Sequence, residues 1–287
     1  METPAPIGIF DSGVGGLSVL RAVRQALPAL DVFYLADQAH VPYGSRPAEQ
    51  VRSFAEGITR YLLDQGACLV VVACNTASAA ALHHLRKVFP SIPFVGMEPA
   101  VKPAAETTQT GVVGVLATPA TFQGELYASV VERFAQGVTV LQDTCPGLVE
   151  LIEAGDLNGP QTRLILESAL LPMLKRGIDT VVLGCTHYPF VIPLIQQIVG
   201  PQVRVIDPSP AIARQVARLL ADLNHPSLQA LAGSIPPPTL GQIRYTTTND
   251  PTHLASQLEF LVGESAPVTP LFWSRVRLPP KRTTLSI

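Results

Sequence analysis

Two cysteines, Cys74 and Cys185, have the residue type and position for acid–base chemistry. Each closely follows an apolar run of strand character, Val70–Ala73 and Thr180–Leu183, and each precedes small polar residues. A thiol at the start of a helix lies near unpaired backbone N–H groups, which favour the thiolate. Because a free thiol has a pKa of about 8.5, one thiolate and one thiol can coexist near neutral pH as base and acid.

The alternative for any free cysteine is a structural role, since a thiol is a small side chain that packs well in a core. The 287 residues contain four cysteines and no CxxC pair, which predicts neither a disulfide framework nor a zinc ribbon. Cys74 and Cys185 occupy matching positions in two similar parts of the chain, whereas Cys68 and Cys145 have no such partner. We therefore predict chemistry for the first pair and structural roles for the second.

Asp11 opens a glycine-rich segment, Asp11-Ser12-Gly13-Val14-Gly15-Gly16, directly after the first apolar run. The segment is similar to a dinucleotide-binding loop, and Asp37 stands where a ribose-binding acid would lie. However, Ser18 replaces the third glycine, and a nucleotide site leaves the paired cysteines unexplained. Asp11 can instead cap a helix, or act as a local base that holds or relays a proton of a nearby thiol.

Further polar residues near these positions have weaker local signals. The segment Val41-Pro42-Tyr43-Gly44-Ser45 is a plain turn or a rigid loop that presents backbone N–H groups to a carboxylate. His187 is two residues beyond Cys185, while the other histidines have no such neighbour. Glu150 and Glu153 share one helix face at a spacing of three, where a solvated face is the ordinary interpretation.

The elements that position these residues alternate between apolar strands and amphipathic helices. Such a pattern predicts parallel sheets covered by helices on both faces. Predicted strands lie at Ile7–Phe10, Val32–Ala36, Cys68–Ala73, Val112–Leu116, Val138–Leu141, Thr180–Leu183, Val203–Ile206 and Gln242–Thr247. Predicted helices lie at Leu17–Leu27, Ala48–Leu63, Thr121–Phe134, Gln161–Lys175, Pro210–Leu220 and Thr252–Val262, and a further short run lies at Val268–Trp273. Between them, we expect a linker at Asn224–Leu240 and a mobile tail at Arg275–Ile287.

Two parts of this pattern repeat each other. Ile7–Ser12 aligns with Val113–Thr118, and Val70–Thr76 aligns with Thr180–Thr186. A repeat of more than about a hundred residues indicates two related α/β lobes, not a solenoid. Ligand-binding residues of open parallel sheets follow the carboxyl ends of strands, so two facing lobes would bring the two cysteines to opposite sides of one cleft.

Composition narrows the class of protein. The formal net charge of −2 gives no excess of basic residues, so we expect neither nucleic acid nor a membrane as a partner. The apolar runs are too short to span a bilayer, and the first residues lack the features of a signal peptide. We therefore expect a soluble cytoplasmic protein.

Taken together, these motifs resemble the glutamate racemase family of the aspartate/glutamate racemase superfamily. The similarity covers roughly residues 7–221 and resumes over 245–261. The motifs that carry it are Gly8-Ile9-Phe10-Asp11-Ser12-Gly13-Val14-Gly15-Gly16-Leu17, Pro42-Tyr43-Gly44, Ala73-Cys74-Asn75-Thr76-Ala77-Ser78 and Leu183-Gly184-Cys185-Thr186-His187-Tyr188-Pro189.

The resemblance implies cofactor-independent interconversion of L- and D-glutamate, which supplies D-glutamate for peptidoglycan. It implies that Cys74 and Cys185 are the catalytic bases, and we expect Asp11 to assist Cys74, and His187 and Glu153 to assist Cys185. It also implies that the amino acid contacts Asp11, Ser12, Tyr43, Gly44, Asn75, Thr76, Thr118, Thr186 and His187.

The resemblance further implies two pseudo-symmetric lobes with the active site in the cleft between them. The chain returns near residue 208 to complete the first lobe. The first lobe is then 1–99 plus 208–273, the second is 100–207, and 274–287 form a tail. No cofactor and no metal are expected, and the expected partners are glutamate and a second copy in a possible homodimer.

Other functions fit the same residues. A racemase for aspartate or another amino acid would share the paired thiols and differ in the size of the pocket. A two-lobed amino-acid binding protein without turnover would bind its ligand whether or not the thiols were present. A nucleotide-dependent dehydrogenase is a third possibility and would respond to NAD(P)H.

Overall fold

The structure, a computed structural model, describes residues 5–225, 240–274 and 284–286. Runs rich in Val, Ile and Leu form its strands, since branched side chains pack well on a pleated surface. In chain order the strands are Ile7–Asp11 (β1), Val32–Ala36 (β2), Val70–Val72 (β3), Phe94–Val95 (β4), Val112–Ala117 (β5), Thr139–Asp143 (β6), Thr180–Gly184 (β7), Arg204–Ile206 (β8), Ile243–Thr247 (β9), Val268–Pro270 (β10), Phe272–Ser274 (β11) and Thr284–Ser286 (β12).

Helices connect most of these strands and bury one apolar face each. In chain order they are Leu17–Ala26 (α1), Ala48–Asp64 (α2), Asn75–Val88 (α3), Val101–Thr107 (α4), Pro119–Gln123 (α5), Glu125–Phe134 (α6), Leu148–Glu153 (α7), Pro160–Lys175 (α8), Ile192–Val199 (α9), Ser209–Asp222 (α10) and Pro251–Val262 (α11), with short 3-10 turns at Tyr43–Ser45 and Tyr188–Val191.

Two parallel sheets organise the molecule. The larger has the order β10-β9-β2-β1-β3-β4, and the smaller has the order β6-β5-β7-β8. Every residue of β1, β2, β3 and β7 is buried, as expected for strands covered on both faces. We call the elements around the larger sheet the first lobe and those around the smaller sheet the second lobe.

The order of the strands repeats between the sheets. In the first lobe β1 lies between β2 and β3, and β4 follows β3; in the second lobe β5 lies between β6 and β7, and β8 follows β7. The register is parallel throughout, with Ile9 opposite Val71 in one sheet and Val115 opposite Val182 in the other. The predicted α/β class with two related parallel sheets is therefore confirmed.

The helices pack in neighbouring pairs on these sheets. The pairs include α2 with α3, α4 with α6, and α8 with α9. After β8 the chain returns to the first lobe, where α10 packs against α1. Within the described ranges, no helix is both long enough and apolar enough to cross a membrane.

The helix expected over Thr121–Phe134 is two helices. Gly124 interrupts it with an extended backbone, φ −73° and ψ 138°, and precedes the first residue of α6. A β-carbon at Gly124 would lie 2.8 Å from Cβ of Ala79, so α3 approaches the chain too closely for a larger residue there. The prediction of one continuous helix is therefore wrong at the point where the two lobes meet.

Other boundaries differ by a few residues, and β4 and α4 were not predicted. β3 is shorter than the apolar run Cys68–Ala73, because only Val70–Val72 pair with neighbouring strands. Within the predicted tail, residues 284–286 form β12, which pairs in parallel with β11. The remaining tail, 275–283 and 287, and most of the expected linker, 226–239, lie outside the described residues.

Candidate active site

The loops that follow β1, β3, β5 and β7 meet in one pocket between the two lobes. The pocket is narrow, with a cavity volume of about 20 Å³. It is lined by Ser12, Pro42, Tyr43, Gly44, Cys74, Asn75, Thr76, Thr118, Val149, Cys185, Thr186 and His187. The two thiols and all but one of the residues expected to contact an amino acid therefore lie together; Asp11 does not line the pocket, and Pro42 and Val149 were not anticipated.

Cys74 lies where the first lobe's β3 leads into α3. It is the residue that caps this helix, and its Sγ accepts a hydrogen bond from the Ala77 N–H at 3.4 Å. Its thiol also lies 3.9 Å from Oγ of Ser12. Burial raises the pKa of the Cys74 thiol, and the negative charge of Asp11 raises it further. The expected effect of the helix start is present, because the Ala77 N–H lowers the pKa, but burial and Asp11 outweigh it.

Asp11 connects the Cys74 side of the pocket to the opposite loop. Its Oδ2 accepts hydrogen bonds from the N–H groups of Gly13 at 3.2 Å and Gly16 at 2.9 Å. Its Oδ1 faces the hydroxyl of Thr186 at 3.5 Å. The carboxyl group is fully buried, and burial raises its pKa, against the effect of the nearby His187. Asp11 is thus held as a buried group with a raised proton affinity.

Cys185, His187 and Glu153 form a hydrogen-bonded chain on the other side. Sγ of Cys185 lies 3.7 Å from Nδ1 of His187, and Nε2 of the same ring lies 2.6 Å from Oε1 of Glu153. Burial lowers the pKa of His187, but its contacts with Cys185 and Glu153 raise that pKa well above its usual value. Burial raises the pKa of Glu153, but its contacts with His187, Val14 and Gln38 together bring that pKa below its usual value. The pair is therefore held as carboxylate and imidazolium.

The glycines after Asp11 are explained by this chain of contacts. A β-carbon at Gly13 would lie 1.9 Å from Oε1 of Glu153, and one at Gly15 would lie 2.4 Å from Nδ1 of His187. Val14 between them donates its N–H to Oε1 of Glu153 at 2.8 Å. The loop therefore needs small residues because it packs directly against the second lobe, and no nucleotide is required to account for them.

Asp37, considered as a ribose-binding acid, is used inside the first lobe. Its carboxylate accepts hydrogen bonds from the Tyr43 hydroxyl at 2.5 Å, the Thr248 hydroxyl at 2.7 Å and the Trp273 indole N–H at 2.8 Å. Nδ1 of His40 lies 2.9 Å from the same group. Asp37 thus anchors Tyr43 at the pocket. Its position after β2 was the available signal for this role.

A hydrogen bond between threonines joins the lobes at the side of the pocket. Oγ1 of Thr76 and Oγ1 of Thr118 lie 2.9 Å apart, and Thr118 also contacts the hydroxyl of Thr121 at 3.0 Å. A β-carbon at Gly44 would lie 3.1 Å from Cβ of Thr118, so the loop after β2 reaches the second lobe here. The pocket is therefore closed by contacts that span the two lobes.

Asn75 is buried in the wall of the pocket without a partner. Among the described residues, its Nδ2 and Oδ1 are the buried side-chain polar atoms that make no hydrogen bond. Nearly all buried polar groups in proteins are paired, and an unpaired one costs about 1–3 kcal/mol. An amide with both ends free suits a ligand that offers both donors and acceptors, as an amino acid does.

The remaining candidates are separated from the pocket. Glu150 is exposed, although it shares α7 with Glu153. The half-buried Cys68 contacts the backbone carbonyl of Ala5, while Cys145 is buried in the apolar core. In the described ranges, no group of three or more His, Cys, Asp or Glu side chains is arranged to hold a metal ion.

Comparison with known proteins places this chain in a family. Residues 7–216 match the model of the Asp/Glu/hydantoin racemases. The glutamate racemase of Roseiflexus sp. (strain RS-1) is 48% identical over 261 residues, which cover 91% of this chain and 93% of that protein.

Solved structures give the same result. The Francisella tularensis glutamate racemase in complex with D-glutamate superposes with a TM-score of 0.78 at 30% identity, covering 93% of this chain and 97% of that one. The Escherichia coli enzyme in complex with L-glutamate and the activator UDP-MurNAc-Ala gives 0.78 at 31% identity, covering 94% and 99%. The chain therefore belongs to the Asp/Glu/hydantoin racemase family, and within it to the glutamate racemases.

Proposed function

We propose that this protein interconverts L- and D-glutamate by moving the α-proton between Cys74 and Cys185. The observation that carries the proposal is the placement of two buried thiols, one from each lobe, in the wall of the same pocket. Each has its own ionisable group: Asp11 acts on Cys74, and His187 with Glu153 acts on Cys185. Relatives with this fold hold D-glutamate and L-glutamate.

Two thiols suit racemisation because the reaction removes a proton from one face of Cα and returns one to the other. The thiolate of one cysteine takes the α-proton, and the S–H of the other donates a proton to the opposite face. The two thiols exchange protonation states in each turnover. The reverse direction uses the same groups with their roles exchanged, so both enantiomers are substrates.

Asp11 and His187 are the groups that exchange protons with the two thiols. The raised pKa of Cys74 means that its thiol needs a nearby group to accept the proton when the thiolate forms, and Asp11 is a buried carboxyl group with a raised pKa of its own. Nδ1 of His187 lies 3.7 Å from Sγ of Cys185, where the ring can give a proton to that sulfur or take one from it. We propose that these groups hold and return the thiol protons between turnovers.

The negative charge that develops at Cα spreads into the α-carboxylate and must be stabilised there. The loops after Cys74 and Cys185 bring hydroxyl, amide and backbone N–H groups to the pocket through Ser12, Asn75, Thr76 and Thr186. Preorganised donors of this kind stabilise developing charge more strongly than water does. We assign the amino-acid contacts to Ser12, Tyr43, Gly44, Asn75, Thr76, Thr118, Thr186 and His187, with Asp11 in support.

The wider setting is proposed on the same basis. We propose a first lobe of residues 1–99 and 208–273, and a second lobe of 100–207. The product D-glutamate is proposed to supply peptidoglycan synthesis, and the need for two reduced thiols suits the cytoplasm. A homodimer stays a prediction, which sedimentation of the purified protein tests.

The decisive experiment is incubation of the protein with each enantiomer of glutamate in deuterated water. We expect deuterium at Cα of the product and a change of optical rotation toward a racemic mixture. Cys74→Ser and Cys185→Ser should each reduce racemisation by at least about a thousandfold, while Cys68→Ser, the matched control outside the pocket, should retain it.

Different outcomes identify the alternatives. Exchange with aspartate but not glutamate would transfer the assignment to an aspartate racemase. Glutamate binding without exchange, unchanged in both Cys→Ser variants, would indicate a binding protein. Full activity in Cys74→Ser would contradict the two-thiol mechanism.

A further inference from the structure

A buried pair of glutamines reaches Glu153 from the first lobe. Nε2 of Gln38 lies 3.4 Å from Oε2 of Glu153 and 2.7 Å from Oε1 of Gln257. Nε2 of Gln257 lies 2.6 Å from the main-chain carbonyl of Glu153. Gln38 follows β2 and Gln257 lies on α11, and the two side chains are 5% and 6% exposed. Neither lines the pocket, and neither has a role in the mechanism described above.

The direction of each hydrogen bond in this network is determined by backbone groups at its two ends. The carbonyl of Glu153 can only accept, so Gln257 must direct its NH₂ group to it and its oxygen to Gln38. Gln38 must then direct its NH₂ group to Gln257 and Glu153. At the other end, the Thr247 hydroxyl accepts from the Asn249 N–H at 3.2 Å and donates to Oε1 of Gln38 at 2.9 Å.

This polarity decides the protonation state of the Glu153 carboxyl group. Oε2 faces an N–H donor of Gln38, and Oε1 receives the N–H of Val14 at 2.8 Å. Because both oxygens accept hydrogen bonds from N–H donors whose direction is fixed, the ionised form of the carboxyl group is favoured. The proton shared with His187 therefore belongs on Nε2 of the ring, and Nδ1 is left to exchange a proton with Cys185, 3.7 Å away.

We propose that Gln38, oriented by Gln257 and Thr247, is a positioning residue that keeps Glu153 an ionised acceptor and so places the shared proton on Nε2 of His187. The inference rests on the proposed racemisation for its kinetic consequences, and not for the tautomer of His187. Gln38, Val14 and Gln257 belong to the first lobe and Glu153 to the second. These contacts join the two lobes. The carboxylate of Glu153 is therefore held ionised beside His187 when the lobes are packed together.

The ionisable groups around Glu153 agree with this role. Burial raises the pKa of Glu153, and the contacts with His187, Val14 and Gln38 together bring it below its usual value. The charge of Glu153 also raises the pKa of Asp11 and that of Tyr34. Without the Gln38 donor, protonation of Glu153 becomes easier, which moves the acidic limb of the activity profile to higher pH.

The test compares Gln38→Met with Gln196→Met. Gln196 is a matched control, because its side-chain NH₂ group also donates to two acceptors, the backbone carbonyls of Gly200 and Val203. Gln196 lies on α9, away from the pocket. We expect Gln38→Met to lower kcat about tenfold with KM changed less than about twofold, consistent with the loss of a hydrogen bond to a charged group. Gln196→Met should leave both constants and the pH profile unchanged.

Gln38→Glu separates positioning from packing. Its protonated carboxyl group has the volume of the amide and can donate one hydrogen bond, whereas its ionised form repels Glu153. Activity relative to the natural protein should therefore fall as pH rises through the pKa of the new side chain. A ratio that does not change with pH would mean that Gln38 only fills space.

A second readout does not depend on turnover. Nitrogen-15 NMR of the His187 ring should show both nitrogens protonated near neutral pH, and Nε2–H as the tautomer of the natural protein once the ring is neutral at high pH, with a lower fraction of that tautomer in Gln38→Met. A neutral wild-type ring protonated at Nδ1, or normal kcat and pH dependence in Gln38→Met, would overturn the proposal. If the natural protein fails to exchange the α-proton of glutamate, the proposed function fails, while the ring tautomer still decides the role of Gln38.

Discussion

The α-carbon of Gly13 lies so near the carboxylate of Glu153 that an added β-carbon would be 1.9 Å from Oε1. The two residues are 140 positions apart in the chain and belong to different lobes. Their approach allows the neighbouring Val14 N–H to bond the same oxygen at 2.8 Å. The glycine-rich segment and Glu153 thus form one unit of structure.

Gly13→Ala should break the contact between Glu153 and His187. The methyl group would push the end of the Glu153 side chain away from His187, because that flexible end gives way more easily than the backbone. Loss of a hydrogen bond to a charged group is about 1.5–3 kcal/mol, which corresponds to a fall of roughly ten- to a hundredfold in kcat.

A double-mutant cycle with Glu153→Ala checks the Gly13 prediction. If the clash acts through Glu153, Gly13→Ala should cost little in the Glu153→Ala background. Equal losses in both backgrounds would show that the methyl group disturbs something other than Glu153.

Asn75→Ala should stabilise the ligand-free protein while weakening substrate binding. The side chain of Asn75 has two buried polar atoms without partners, so its removal relieves an unfavourable burial of about 1 kcal/mol or more. We expect a higher thermal midpoint together with a KM raised at least about tenfold.

Ser78→Ala is the matched control for Asn75→Ala. Ser78 is a buried polar residue of the same helix, but its hydroxyl donates to the Val72 carbonyl and accepts from the Met97 N–H. Its removal should lower the thermal midpoint. A loss of stability in Asn75→Ala similar to that in Ser78→Ala would refute the assignment of Asn75 as a ligand-binding residue whose amide has no partner in the ligand-free protein.

The pH dependence of stability and activity should reflect the pKa values of both Glu153 and His187. The pKa of Glu153 is lowered in the folded protein, so its contribution to stability is present above its unfolded pKa and is lost as pH falls through the folded value. The pKa of His187 is raised, so its contribution is present below about 6.5 and is lost as pH rises through the folded value. Stability and activity should therefore share a plateau between these limits.

Glu153→Gln should shift the alkaline limb of this plateau to lower pH. The neutral amide no longer stabilises the imidazolium, so the pKa of His187 falls. Stability and kcat/KM measured against pH, with Glu150→Gln as a control on the exposed face of the same helix, test this. An alkaline limb that stays in place would mean that another group than His187 determines it.

Asp11→Asn should make Cys74 more reactive while making the enzyme slower. The carboxylate of Asp11 raises the pKa of the Cys74 thiol in addition to burial, so its neutral replacement should increase the thiolate fraction at a given pH. We expect faster alkylation of Cys74 by iodoacetamide, together with a fall in racemisation because the proton acceptor is lost.

Peptide mapping by mass spectrometry measures alkylation at each cysteine separately. Cys68, half-buried and outside the pocket, is an internal reference whose rate should be the same in both proteins. Slower alkylation of Cys74 in Asp11→Asn would show that Asp11 promotes the thiolate in the ligand-free protein and would contradict the prediction.

Much of the fold could be predicted because it depends on patterns a few residues long. The buried strands β1, β2 and β7 coincide with continuous apolar runs, and the aligned halves correspond to the same strand order in the two sheets. The broken helix at Gly124 could not be seen in this way. It lies where Ala79 of another helix approaches Gly124, a contact between residues distant in the sequence.

The sequence by itself determined which side chains follow the ends of the strands, Cys74 and Cys185 among them. Strand ends are local, and parallel sheets place their carboxyl ends at one edge. Only the tertiary structure decided how acids and bases are paired: Glu153 and not Glu150 contacts His187, and Gln38 reaches the same carboxylate. These contacts join residues from different lobes, so they depend on how two sheets pack against each other, which no local spacing records.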